Sequence, residues 1–120
     1  MEPLLVDVET LPNGTVVHIG GEIRIDCSAL ELQLRKVVAQ HPMLVVLDLG
    51  RLTFISSLGM GCIVGLRKGI AQRGGKVRLA AALPMVKDAL TRARLLDVME
   101  HFDSVEAALA APASPQAPAS

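Results

Sequence analysis

Residues 43–49, Met-Leu-Val-Val-Leu-Asp-Leu, form a nearly continuous apolar run. A run this short and this apolar is the pattern of a central strand covered on both faces. It therefore demands packed layers on either side of a sheet. The residues that follow add a second constraint. A short turn presents Thr53, Ser56 and Ser57, and a glycine-rich apolar helix then runs from Ser57 or Leu58 to about Arg73. Two serine hydroxyls thus stand where a strand ends and a helix begins. Free N–H groups and the positive end of the helix dipole concentrate at such a point. It can hold a nucleophile, bind a phosphate, or accept one covalently.

The rest of the chain supplies the layers. Leu4 to Thr10 alternates, with Leu4, Val6 and Val8 on one face and Asp7 and Glu9 on the other, as a half-buried strand does. Pro12-Asn13-Gly14 marks a turn, and Thr15 to Ile19 reads as the second arm of a hairpin, broken by Gly20-Gly21. Ser28 and Glu31 have capping-box spacing, and Leu30, Leu34, Val37 and Val38 follow at helical intervals until Pro42. Gly61, Gly65 and Gly69 recur every four residues. Each costs a helix about 1 kcal/mol relative to Ala, so three in register predict close approach to a neighbouring backbone. Charges at Arg67, Lys68 and Arg73 rule out a membrane helix pair there.

Gly74-Gly75 ends that helix, and Lys76 to Ala82 reads as another strand. Pro84 opens a third helix, carrying Val86, Ala89, Leu90 and Ala93. A short strand over Val98 to Phe102 precedes an alanine-rich helix capped by Asp103 with Glu106 and ending near Ala111. The order is ββαβαβαβα. This predicts an α/β fold with a mixed, mostly parallel sheet, about four helices and right-handed crossovers. Residues 1–111 form one domain on this reading. The Pro/Ala/Ser/Gln tail, 112–120, reads as disordered.

Composition narrows the function. The chain has 120 residues, 51% of them hydrophobic, enough for a proper core in one domain. Phe54 and Phe102 are its only aromatic residues, and its twelve basic and twelve acidic residues cancel. Neither base stacking nor a basic excess is available, which speaks against nucleic acid as a partner. Cys27 and Cys62 are far apart and form no C-x-x-C, so the sequence offers no metal or thioredoxin-like site. The N-terminus does not resemble a signal peptide, no apolar run spans a bilayer as a helix, and a reducing cytoplasm is the expected setting.

Two enzymatic readings of the serine turn fail on spacing. A nucleophile elbow needs G-x-S-x-G, but Ile55 stands where the first Gly should precede Ser57. None of His18, His41 and His101 lies in a recognisable motif. In GIAQRGGK, residues 69–76, Ile70 occupies the place of the first P-loop Gly and Val77 that of the hydroxyl residue. Gly59-Met60-Gly61 begins a dinucleotide-like pattern, but its third Gly falls one residue late, at Gly65. What remains is a covalent phosphate acceptor or a plain N-cap, the commoner role of a serine at a helix start.

The wider pattern resembles the STAS domain, specifically the small bacterial anti-sigma factor antagonists. Gly21-Glu22-Ile23-Arg24 is similar to the family's Gly-Glu-Leu-Asp strand end. Leu47-Asp48-Leu49 matches its Asp-Leu strand, and Phe54-Ile55-Ser56-Ser57-Leu58-Gly59-Met60-Gly61 its Phe-Ile-Asp-Ser-Ser-Gly-Leu-Gly signature. Gly74-Gly75 and Phe102-Asp103 also fit, so the resemblance runs from about Leu4 to Ala111. It implies a non-enzymatic switch without a cofactor. An anti-sigma factor that is also a serine kinase would phosphorylate Ser57 and bind only the unmodified form, and a serine phosphatase would reset the cycle.

By the same resemblance, Arg24, Asp26, Ser56, Ser57, Leu58, Met60 and Ile63 are the expected partner-binding residues. Three departures from the family pattern stand out. Ser56 replaces the acidic residue before the phosphosite and becomes a rival acceptor. Leu58 replaces the second serine of the pair. Arg24 replaces an Asp, with Asp26 two residues on. A second reading keeps the fold but makes the chain a constitutive subunit of a lipid-transport or stress-signalling assembly, with Ser57 a permanent cap. A third, a small enzyme, would need a turnover that disappears in Ser57→Ala.

Overall fold

A computed structural model describes residues 3–112; the proposed tail lies, but for Pro112, outside the described residues. The elements run β1 (Leu5–Leu11), β2 (Gly14–Ile23), α1 (Ser28–Ala39), β3 (Leu44–Ile55), α2 (Ser57–Ala71), β4 (Lys76–Ala80), α3 (Pro84–Arg92), a 3-10 turn (Leu95–Asp97), β5 (His101–Phe102) and α4 (Val105–Ala110). They build one five-stranded sheet in the order β1-β2-β3-β4-β5. The β1–β2 hairpin is antiparallel, and β2, β3, β4 and β5 pair in parallel. Among the described residues no helix is long and apolar enough to cross a membrane.

The apolar run at residues 43–49 is central because both of its faces are covered. Val45, Leu47 and Leu49 enter the main core with Val17, Ile19 and Leu79. Helices α1, α2 and α3 close that face through Leu30, Leu34 and Val37, then Ile63, Leu66 and Ile70, then Val86 and Leu90. Burying each Leu or Ile side chain contributes roughly 1.5–3 kcal/mol. Val46 points the other way, into a smaller cluster with Val16, Ala80 and Ala108 of α4.

Strand β3 runs on to Ile55, beyond the Leu49 end expected from the sequence, and so contains Thr53. It does so by carrying extra residues. The register steps from His18↔Asp48 to Gly20↔Arg51, and again from Gly21↔Leu52 to Glu22↔Phe54. Each bulge inserts one residue and reverses the inward–outward alternation. This is why Leu47, Leu49, Leu52 and Ile55 all reach the main core despite their uneven spacing. Asp48 Oδ1 secures the first bulge by accepting from the Gly50 N–H at 3.0 Å. Strand β2 likewise continues through Gly20-Gly21 instead of breaking there.

Helix ends differ from the expected caps. Residue 27, not Ser28, is the N-cap of α1, and it makes no side-chain cap bond. The Ser28 hydroxyl instead donates to Asp26 Oδ1 at 2.7 Å, a local bond that competes with capping. At α4 the cap is Ser104, which accepts from the Ala107 N–H at 3.0 Å, and not Asp103. The glycines of α2 also divide differently. Gly61 and Gly65, expected against a neighbouring backbone, would place an added Cβ in open space. Gly69 does pack closely, against the Val38 side chain of α1, with an added Cβ 3.1 Å from its Cγ2. The tightest approach is at Gly59, where a Cβ would lie 2.5 Å from Ile23 Cγ2 and 3.0 Å from Ile55 Cγ1.

Two side chains tie the sheet to its surroundings. Arg78, buried under α4, donates from Nη1 to the Ala108 and Ala111 carbonyls, each at 2.8 Å, and from Nη2 to the Pro112 carbonyl at 3.1 Å. A cation is well placed against these last helix carbonyls. His18 joins three strands: Nδ1 lies 2.7 Å from Asp48 Oδ2 and Nε2 lies 3.0 Å from Glu9 Oε1. The Glu9 hydrogen bond, with Asp48 behind it, raises the His18 pKa against the opposing effect of partial burial.

Gly59→Ala is expected to destabilise the protein by about 2 kcal/mol, because overpacking a full site outweighs the gain in helix propensity. Gly61→Ala and Gly65→Ala, with free space for the methyl, should each stabilise it by about 0.5–1 kcal/mol. Urea unfolding of the three variants measures both signs. A second expectation concerns pH. A histidine whose folded pKa is raised adds stability below its unfolded pKa and loses it as pH climbs through the folded value. The stability gap between the native protein and His18→Gln should therefore be widest near about pH 6 and narrow toward about pH 9. A gap that widens on the alkaline side overturns the assignment. The Nε2 of His101 accepts from the Ala82 N–H at 3.1 Å, and burial lowers its pKa. It acts in the opposite sense and is common to both proteins.

Candidate functional site

The Gly59–Ile23 contact seats the first turn of α2 directly on the end of β2. Backbone bonds fix the junction: the Ser56 N–H donates to the Ile23 carbonyl at 2.8 Å, and the Met60 N–H donates to the Ser56 carbonyl at 3.0 Å. Ser56 is the N-cap, in extended geometry with φ −85° and ψ 168°. Its Oγ accepts from the Gly59 N–H at 3.1 Å and donates to the Arg24 carbonyl at 2.8 Å. Both polar ends of that hydroxyl are engaged.

Ser57 is different. It occupies the first helical position and is exposed, and no described residue hydrogen-bonds its hydroxyl. The first-turn donors still free are the N–H groups of Ser57 and Leu58, since helix geometry leaves them without an intrahelical carbonyl. Among the described residues no cluster of three or more His, Cys, Asp or Glu can hold a metal ion.

The other expected contact residues separate by exposure. Leu58 is 57% exposed, and Met60 is half-buried against the main core. Ile63 is wholly buried. It supports the helix from beneath and offers a partner no surface, contrary to expectation. Asp26 is exposed but committed: its Oδ1 accepts from both the hydroxyl and the N–H of Ser28, and these bonds lower its pKa. Arg24 extends over the Phe54 ring, 5.5 Å from its centroid, and its Nε donates to Glu22 Oε1 at 2.6 Å. That bond holds the Glu22 carboxyl below its ordinary range.

Sequence reasoning missed the far wall of the site. A cleft of about 680 Å³ lies between the start of α2 and α3, lined by Phe54, Ser57, Met60, Met85, Ala89 and Arg92. Met85 is 71% exposed. A large apolar residue out of phase with the buried Val86 and Leu90 was the available signal. Phe54 and Met85 line this cleft beside the Ser57 hydroxyl, and the exposed Leu58 follows it in the chain. The nearby cations are already paired, Arg24 with Glu22 and Arg92 with Asp88 at 3.2 Å.

The sequence model of the STAS domain matches residues 6–108. The chain belongs to the STAS domain family. BtrV of Bordetella bronchiseptica, named as an anti-sigma factor antagonist, is 35% identical over 82 residues, 68% of this STAS chain and 71% of BtrV. The crystal structure of an anti-sigma factor antagonist from Mycobacterium paratuberculosis superposes with a TM-score of 0.82 at 24% identity, covering 89% of this chain and 92% of that one. The Bacillus antagonist SpoIIAA shares the STAS fold in both solved forms. The unphosphorylated form gives a TM-score of 0.70 at 21% identity, covering 86% of this chain and 92% of its own. The phosphorylated form gives 0.66 at 18%, covering 86% and 96%.

The unequal serines make a direct expectation. Ser56→Ala removes a cap and the bond to the Arg24 carbonyl and should cost about 1–2 kcal/mol. Ser57→Ala removes no internal bond and should stay within about 0.5 kcal/mol of the native protein. Equal losses in thermal or urea unfolding would contradict the assignment of roles.

Proposed function

We propose that this STAS protein is an anti-sigma factor antagonist whose binding is switched by phosphorylation of Ser57. The observation that carries the proposal is the division of labour at residues 56 and 57. One hydroxyl is consumed by the fold, and the next is exposed and uncommitted. The anti-sigma factor, acting as a serine kinase, transfers the terminal phosphoryl group of ATP to Ser57 Oγ, whose proton leaves to the kinase. A serine phosphatase hydrolyses the ester and restores the alcohol. The domain itself performs no chemistry, and the cycle belongs to the cytoplasm.

The physical argument follows the charge. Phosphorylation adds about −1.5 to −2 charge at neutral pH. Within the domain this charge meets the free N–H groups of Ser57 and Leu58 and the positive end of α2, so the fold survives. In the complex, the same dianion is pressed among Phe54, Leu58 and Met85, and a charge desolvated without a partner costs several kcal/mol. Binding is lost and the fold is kept. The name of BtrV and the two solved forms of SpoIIAA support the reading.

Ser57→Asp should abolish binding to the cognate anti-sigma factor in calorimetry while leaving the circular dichroism spectrum and unfolding midpoint unchanged. After incubation with that partner and ATP, mass spectrometry should find phosphate on Ser57. Phosphate on Ser56 or Thr53 alone would move the site. No phosphate, together with stable co-purification in an ATPase or scaffold complex, would instead identify a constitutive subunit with Ser57 as a helix-start residue only.

A further inference from the structure

Cys27 and Cys62 are 35 positions apart, yet the fold brings them to one seam. Cys27 is the N-cap residue of α1, 6% exposed, with its Sγ 3.3 Å from the Arg24 carbonyl. Glu31 lies one turn further along the same face of α1, its N–H bonded to the Cys27 carbonyl at 2.9 Å. Cys62, on the second turn of α2, places its Sγ 3.9 Å from Glu31 Oε1. Burial, then the charge and hydrogen bonding of the neighbouring Cys27 thiol, then Glu31, push the Cys62 thiol up to about 11. The two sulfurs are not bonded to each other here.

Cys62 also has an entrance. It lines a groove of about 550 Å³ between α1 and α2, together with Leu34, Leu58, Leu66 and the open backbone at Gly61 and Gly65. The two bare glycines flank Cys62 along the helix and leave its sulfur reachable from solvent, whereas Cys27 lies beneath.

We propose that Cys27 and Cys62 form a redox-responsive pair that closes to an intramolecular disulfide on reaction with a small diffusible disulfide such as oxidised glutathione. The Cys62 thiolate attacks one sulfur of the oxidant, forming a mixed disulfide and releasing one small thiolate, which takes up the proton that Cys62 lost. The Cys27 thiolate then attacks the Cys62 sulfur and expels the second small thiolate, which takes up the proton from Cys27. The protein gives up two electrons and two protons, and the oxidant leaves as two thiols. Because a thiol held near 11 is almost wholly protonated at neutral pH, the first step is slow there and quickens with alkalinity.

The bond ties the start of α1 to α2 and traps between them the loop of Arg24 and Asp26. The carbonyl of Arg24 is the acceptor for the Ser56 hydroxyl, so the cross-link stiffens the floor beneath residue 57. It requires no phosphorylation and stands independently of the function proposed above.

The test uses the full chain, freed of reductant, treated with oxidised glutathione at alkaline pH, quenched with N-ethylmaleimide and weighed intact. The expected product is a monomer lighter than the reduced chain by two hydrogens, carrying no maleimide, with the Cys27 and Cys62 peptides linked. Its urea midpoint should lie above that of the reduced protein, since a cross-link restricts the unfolded chain. Cys27→Ala should stop at the glutathione adduct on Cys62, and Cys62→Ala should leave Cys27 unmodified by glutathione. Two maleimide adducts on the treated native chain, a persistent glutathione adduct on it, or covalent dimers would each overturn the proposal.

Discussion

The approach of α2 to the end of β2 governs this molecule. Gly59 rests on Ile23 and Ile55 with no room for a methyl group, and the Ser56 N–H bonds to the Ile23 carbonyl alongside. These contacts fix both the height and the rotation of the first turn of α2. Rotation matters because consecutive positions on a helix point about 100° apart, from 3.6 residues per turn. With Gly59 inward, Ser56 is the residue that must leave the helix and cap it, and Ser57 is the one turned to solvent.

The bulges in β3 serve the same end. An unbulged strand of this length would alternate strictly, and either Leu47 and Leu49 or Leu52 would face away from the main core. The first inserted residue turns Leu52 inward, and the second restores the original phase so that Ile55 is also inward at the point where α2 begins. The rim is then left to residues with little role in folding: Phe54 outward, Arg24 above it, and Met85 across the cleft. A rigid floor and an uncommitted rim let one surface change its chemistry without disturbing the core beneath it.

Element order and sheet type were legible because periodicity reports burial, and burial was decided by the same apolar residues. What escaped the sequence were features that depend on two segments at once. The length of β3 rests on its register with β2, which no run of residues within β3 records. Gly20-Gly21 reads as a break, yet a Cβ at Gly20 would lie 3.3 Å from the Arg51 Cβ, so the glycine serves close strand packing. The α1 cap was misplaced because Asp26 takes the Ser28 hydroxyl first. The motif located the Ser56–Ser57 pair but left their roles unassigned, since a helix start is uncertain by a residue in sequence and the two serines differ by one. The exposed wall at Met85 and Arg92 comes from a helix distant in the chain, and only its unpaired apolar residue hinted at it.

Arg78 has a consequence of another kind. Its guanidinium grips the carbonyls of Ala108, Ala111 and Pro112 on the α4 side of the sheet, away from the face that carries α1, α2 and α3. The chain is thereby given a fixed departure point as well as a folded end. A fluorophore, a surface linker or a fused domain joined beyond Pro112 starts from the back of the molecule. The protein can be moored by that end with its serine-bearing rim still facing outward.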